Sequence, residues 1–210
     1  MRPEVLSESY LPSRLVKRED RLQLLRLAPP QGLIAVVGPA GTGKTTLAKL
    51  AFEGAVWVDC GVHGSHAGVY GALRRSGLRG SEAGRTVVFD DFTLAHRTPK
   101  LWDLVLRLAE MNRVVLVVHP SVRGELRGAP LLVEMPPYSA EELYLILEDR
   151  ALQGDLPVTD KVLRYIAEKL GYPRGSGSAR LAVRALRYAL QAAQPGPVSV
   201  RHAELALLRL

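Results

Sequence analysis

The sequence has little of what marks an exported or membrane-bound chain. Its one cysteine, Cys60, excludes an internal disulfide framework and fits a reducing cytoplasm. Its cleanest apolar runs, such as 33–37, are far too short to span a bilayer. The opening MRPEVLSESY holds no apolar signal core. There is no internal repeat and no low-complexity tract, which argues against a solenoid or a disordered tail. What is present is the composition of a soluble globular protein. The 210 residues suffice for one large domain or two small ones, and the 47% hydrophobic content supplies a core. Twenty-eight Lys and Arg against 21 Asp and Glu leave a net charge of +7, carried mostly by arginine. Such an excess is either a solvated surface or the electrostatic footprint of a polyanion such as nucleic acid.

Two patterns divide the chain. Up to about Glu134, short apolar strands alternate with helices. The stretches 32–38, 55–59, 86–91, 113–118 and 131–135 are rich in Val, Leu and Ile on both faces, as a buried parallel sheet requires. Between them, residues 45–54, 67–77 and 100–111 carry apolar residues at helical spacing. The fold class is therefore α/β with a five-stranded parallel sheet. After Pro137 the strands stop. Residues 139–153, 159–171, 177–193 and 198–210 predict four amphipathic helices, separated by the turn sequences GDLP, GYPRGSGS and QPGP. The division is into a core over 1–136 and a helical domain over 137–210. The corner between them is sharply marked. Pro136 and Pro137 end any strand ladder. Ser139 and Glu142 form a capping box, and Tyr138 and Leu143 stand at the spacing of a hydrophobic staple.

The chemistry concentrates in GPAGTGKTT, comprising Gly38, Pro39, Ala40, Gly41, Thr42, Gly43, Lys44, Thr45 and Thr46. It has the form G-x-x-x-x-G-K-T, follows an apolar strand and opens a helix, which is the context a phosphate-binding loop needs. Its glycines let the backbone close around an anion, and the loop N–H groups and helix N-terminus then face the phosphates. Lys44 has the reach for the terminal phosphates, and the Thr45 hydroxyl suits Mg²⁺. The second half of such a site is a carboxylate at a strand end, and TVVFDDF supplies Asp90 and Asp91. Asp90 is the expected Mg²⁺ holder, and Asp91 stands where a base for an attacking water belongs. A helix-capping aspartate pair is the plainer alternative. Cys60, His63 and His66 have zinc-compatible residue types in a C-x-x-H-x-x-H array, but no fourth ligand is evident. The plainer reading is a buried cysteine at a strand end with two loop histidines.

With these motifs in place the chain resembles an AAA+ ATPase, and more narrowly the Orc1/Cdc6 family of replication initiators and origin-licensing proteins, as found in archaea. Three stretches carry the resemblance. YLPSRLVKREDRLQLL (10–25) is similar to the family's N-terminal box, which implies that Tyr10, Leu11, Pro12 and Arg18 lie on the adenine side. PPYSAEELYLILEDRA (136–151) resembles the hinge and first helix of its lid, and GSARLAVRALRYAL (177–190) its sensor-2 helix. VSVRHAELAL (198–207) resembles the last lid helix. The resemblance implies that Arg180 reaches the phosphates from the lid and reports ATP against ADP. Otherwise Arg180 is one surface arginine among several on its helix, with Arg184 and Arg187.

The departures from the family are specific. The polar sensor-1 position falls at His119, which either orients a water or the terminal phosphate, or caps and packs. Arg123 and Arg127 are the candidates for an arginine finger. A glutamate is commoner than Asp91 as the base, and the shorter side chain implies slow turnover. The family's initiator-specific insertion looks abbreviated, yet keeps Arg74, Arg75 and Arg79 as candidate phosphate contacts. Family members normally continue into a winged-helix domain, whereas this sequence stops at Leu210 with the lid just complete. The expectation is an ATP- and Mg²⁺-binding, cytoplasmic switch in replication initiation, with slow ATP hydrolysis. It would act on duplex DNA, on other replication proteins or on copies of itself, and not on membranes. The rival is a nucleotide-controlled interaction ATPase with no direct DNA role, and a further variant holds its nucleotide without hydrolysing it.

Overall fold

The structure is a computed structural model that describes residues 1–78, 83–194 and 196–210. Arg79, one of the candidate phosphate contacts, lies outside the described residues. Among them, no helix is long and apolar enough to cross a membrane. The contacts divide the chain into two compact units.

One unit comprises Arg18–Gly38 and Lys44–Met135. Its strands are β1 (Gly32–Val37), β2 (Val56–Asp59), β3 (Thr86–Asp90), β4 (Arg113–Val118) and β5 (Leu131–Glu134), and its helices are α1 (Glu19–Arg26), α2 (Lys44–Ala51), α3 (His66–Arg75) and α4 (Pro99–Met111). All pairings are parallel, in the order β2-β3-β4-β1-β5. The five-stranded parallel sheet expected from the Val, Leu and Ile runs is the one observed. Both faces of the central strands are covered, while the edge strand β5 buries only Val133. Leu33, Ala35 and Val37 of β1 point into the larger cluster with Val87, Phe89, Val114 and Leu116, while the alternate residues Ile34, Val36, Val115 and Val117 are buried on the other face. The C-terminal edge of the sheet therefore gathers the ends of β1, β3 and β4, where Asp90 is the last residue of β3 and Gly38 and His119 follow β1 and β4.

The other unit comprises Met1–Lys17, Pro39–Gly43 and Pro136–Leu210. It contains the helices α5 (Ala140–Gly154), α6 (Asp160–Leu170), α7 (Ala179–Ala193) and α8 (Val200–Leu207). The capping box forms as the sequence specifies: Ser139 N donates to Glu142 Oε2 at 2.8 Å and Glu142 N donates to Ser139 Oγ at 3.2 Å. Tyr138 and Leu143 are both buried in the helical core, the pairing a staple requires. Helix α7 buries Ala182, Ala185, Leu186, Ala189 and Leu190 along one stripe, so small side chains admit its neighbours closely.

The contacts group residues 1–17 with these helices rather than with the sheet. Val5 and Leu6 are buried in the helical core. Tyr10 donates its hydroxyl to Gln153 Oε1 at 2.8 Å while Arg150 lies over its ring, 4.5 Å from the centroid. Arg14 donates through Nε and Nη2 to Asp149 Oδ1 at 3.0 and 2.5 Å, and Gln153 Nε2 donates to Asp149 Oδ2 at 2.6 Å. Asp149 is 8% exposed, so this pairing is what makes its burial tolerable.

Candidate nucleotide site

The glycine loop leaves β1 and turns back into α2. Gly41 and Gly43 have φ values of +78° and +87°, which glycine adopts without steric cost. Thr42 between them is fully buried and donates Oγ1 to Pro39 O at 2.9 Å, closing the turn on itself. A side chain at Gly41 would collide with Ser178 Oγ and stand 3.3 Å from Arg180 Cβ, and one at Gly43 would meet the Tyr138 hydroxyl at 3.2 Å. Ala179 N donates to Gly41 O at 2.9 Å. Within this unit the head of α7 therefore rests on the loop, with Arg180 exposed one residue further on. Arg184, a turn below, is held by Glu8, which accepts from its Nη2 at 2.6 Å and its Nε at 3.1 Å. That hydrogen bond, ahead of the field of Arg184, Arg180 and Arg187, keeps the Glu8 carboxyl below its ordinary pKa.

The sheet-containing unit supplies the second group. Gly38 N donates to Val118 O at 3.2 Å, so the start of the loop is tied to β4. Thr45 Oγ1, at the head of α2, donates to Asp90 Oδ1 at 3.0 Å. Asp90 also accepts from Asp91 N at 3.1 Å. The aspartate pair stands between Phe89 and Phe92, both fully buried, and Phe92 packs edge-on against Trp102 at 5.0 Å between centroids. This aromatic block fixes where the carboxylates emerge. Burial raises the pKa of Asp90 above the ordinary range, the charges of Asp91 and Asp59 push the same way, and the Thr45 hydroxyl opposes them. Asp59 pairs in register with Asp90 at the end of β2 and accepts from Gly61 N at 2.8 Å. Asp91 has φ +48°, a left-handed conformation that aspartate tolerates better than most residues, and its carboxylate lies on the Gly61 side. Cys60 is buried among these acids. Burial first, and then Asp59, Asp90 and Asp91, push its thiol up to about 12, so it is protonated and unreactive at neutral pH. Among the described residues, no three His, Cys, Asp or Glu side chains are grouped to hold a metal, Cys60, His63 and His66 included.

His119 follows β4 and caps the turn Pro120–Glu125. Its Nδ1 accepts from Ser121 N at 3.2 Å, which places the ring proton on Nε2 and leaves that N–H as a donor. Its backbone N donates to Thr93 Oγ1 at 2.7 Å, joining the ends of β3 and β4. Arg123 pairs with Glu134 at 2.5 Å. Arg74 and Arg75 are exposed at the end of α3. Of the N-terminal residues, Tyr10 is engaged by α5, Pro12 and Arg18 are buried, and Leu11 is exposed. Thr93, Asp59 and Ser178 went unmarked in the sequence, because none belongs to the contiguous motif it serves. Ser178 alone carried a local signal, a serine standing before a helical run.

Each unit by itself has groups that could serve a nucleoside polyphosphate and a hard divalent cation. The loop offers a glycine cradle, Lys44 a cation, and Thr45 with Asp90 two oxygens 3.0 Å apart. No family model matches the chain. ORC1-type DNA replication protein 2 of Saccharolobus solfataricus is 24% identical over 254 residues, an alignment that takes in 90% of this chain. The chain spans 61% of that relative's length. The Aeropyrum pernix ORC2 protein, solved as ADPNP–ADP complexes, superposes with a TM-score of 0.82 at 22% identity over 99% of this chain and 72% of its own. The Aeropyrum pernix ORC1 protein in complex with DNA gives 0.79 at 21% identity, over 99% of this chain and 69% of its own.

Proposed function

We propose that this chain is an Orc1/Cdc6-like AAA+ protein, as its likeness to the archaeal ORC proteins supports, and that it works as a nucleotide-state switch in the initiation of DNA replication, turning ATP over slowly. The observation that carries the reading is the seating of the α7 head on the glycine loop, through Ala179 N and Gly41 O at 2.9 Å, with Arg180 exposed beside it. A cation at that position distinguishes a triphosphate from a diphosphate by the extra charge it meets. The roles follow from the side chains. The loop N–H groups and Lys44 hold phosphate oxygens, and Thr45 and Asp90 supply oxygens for Mg²⁺, which when bound offsets phosphate charge. The carboxylate of Asp91 takes the proton of an attacking water, and the Nε2–H of His119 donates toward the terminal phosphate. Tyr10, Leu11, Pro12 and Arg18 border the adenine. Slow turnover is supported by the short Asp91 side chain and by its lean toward Gly61. Pro136–Tyr138, where the chain enters the helical domain, is the proposed hinge.

The proposed partner is duplex DNA. The net charge of +7 and the exposed Arg74 and Arg75 support it, as does the DNA bound by the Aeropyrum pernix ORC1 protein. The test is fluorescence anisotropy of a labelled duplex titrated with ATP, with ADP and without nucleotide, at two salt concentrations. Binding that depends on nucleotide, falls steeply with salt and loses its nucleotide dependence in Lys44→Ala is the expected result. Nucleotide binding with no DNA binding in any state overturns the DNA role and leaves an interaction ATPase.

A further inference from the structure

Peptide planarity makes the α7 contact more than packing. In a trans peptide the C=O and the following N–H point in opposite directions. Ala179 N holds the Gly41 carbonyl, and so fixes the opposite direction for the N–H of Thr42. Gly41, with φ +78° and no Cβ, offers little resistance of its own to a flip of that peptide. A phosphate-binding nest works only while its successive N–H groups converge on one side. The same segment is tied onward. Ser178 caps α7 by accepting from Leu181 N at 3.3 Å, Tyr138 N donates to Gly177 O at 3.0 Å, and Tyr172 N donates to Tyr138 O at 3.0 Å. The Tyr138 hydroxyl lies 3.2 Å from where a Gly43 side chain would begin. Loop, α7 head and the residue after the paired prolines thus form one hydrogen-bonded assembly inside a single compact unit.

We infer that Ser178 and the Ala179 N–H are positioning groups for the nucleotide loop: by fixing the Gly41–Thr42 peptide they set the anion nest, independently of the charge on Arg180. This rests on the nucleotide-site reading above. It separates two effects of α7. The latch acts on phosphates common to ATP and ADP, whereas Arg180 acts on the terminal one.

Ala179→Pro tests it. Ala179 is the first helical residue of α7, where proline is tolerated, and Ser178, at ψ 112°, already has the extended backbone that precedes proline. The substitution removes the one N–H and sets a ring methylene against the Gly41 carbonyl. With the purified protein, ATP and ADP affinities are each expected to fall about tenfold, the scale of one hydrogen bond, with the ATP-to-ADP ratio unchanged. Arg180→Ala is expected to weaken ATP more than ADP. Far-ultraviolet circular dichroism reports whether α7 persists. Should Ala179→Pro not fold, Ser178→Thr keeps the cap and adds a methyl against Gly41, with the same joint loss expected. Unchanged nucleotide affinities in a folded variant overturn the latch while the site stands. Wild-type protein that binds neither nucleotide overturns the site and the latch together.

Discussion

Asp90 carries a conflict between stability and chemistry. Burial raises its pKa, so the fold favours the protonated acid. A carboxyl whose pKa is raised on folding contributes stability below its unfolded value near 3.8, and that contribution is lost as pH rises through the folded value. Ionising Asp90 in the fold is therefore a cost, which the Thr45 hydroxyl only partly offsets. Asp90→Asn is expected to raise the Tm of nucleotide-free protein at pH 7 by about 2–4 °C, and the gain should shrink toward pH 4. It should also abolish any Mg²⁺-dependent gain in nucleotide affinity. A thermal melt across pH checks the first point and nucleotide titration with and without Mg²⁺ the second. A Tm that falls at pH 7 would mean that the Thr45 hydrogen bond outweighs burial. Stability and the proposed Mg²⁺ role thus pull in opposite directions at this one side chain.

Local chemistry was the most legible part of the structure, at the scale of the element. The central strands β1, β3 and β4 announced themselves as apolar runs because both their faces are covered, and the bounds of all five strands agree to within a residue. The cap of α5 was legible because four contiguous residues contain all its donors and acceptors. Removing it by Ser139→Ala is expected to cost about 1 kcal/mol, read as a lower urea midpoint at unchanged slope. The glycine loop was legible for the same reason. The seat it rests on was not. Gly41 and Ser178 are far apart in sequence, and a serine before a helix says only that the helix is capped. Thr93 likewise bridges two strand ends through a hydroxyl that no pattern marks. His119 was open between capping and chemistry because both need the same ring; the structure shows the capping through Nδ1, and the tautomer it selects leaves Nε2–H to donate.

On the scale of the molecule, the first seventeen residues belong to the helical unit. Their deletion would remove Val5 and Leu6 from its core and leave the Asp149 carboxylate without Arg14. Two buried aliphatic side chains contribute about 3–6 kcal/mol together. Loss of that amount is expected to bring the helical unit close to unfolding, visible as a separate early transition in urea while the sheet transition stays in place. A single transition at the wild-type midpoint would show that the strap is dispensable. Arg14→Ala alone should reproduce part of the loss, because it strands a buried charge.

That discontinuity also orders events in time. The pairing of Arg184 with Glu8 joins residues 176 positions apart, and every tie between the strap and α5 spans 135 or more. The sheet-containing residues are synthesised between the two parts of the helical unit. During translation at about 5–20 residues per second, Val5 and Leu6 wait roughly ten seconds or more for the helices that bury them. The strap is thus made before the sheet and finds its place only after it, once the helices that bury it have emerged.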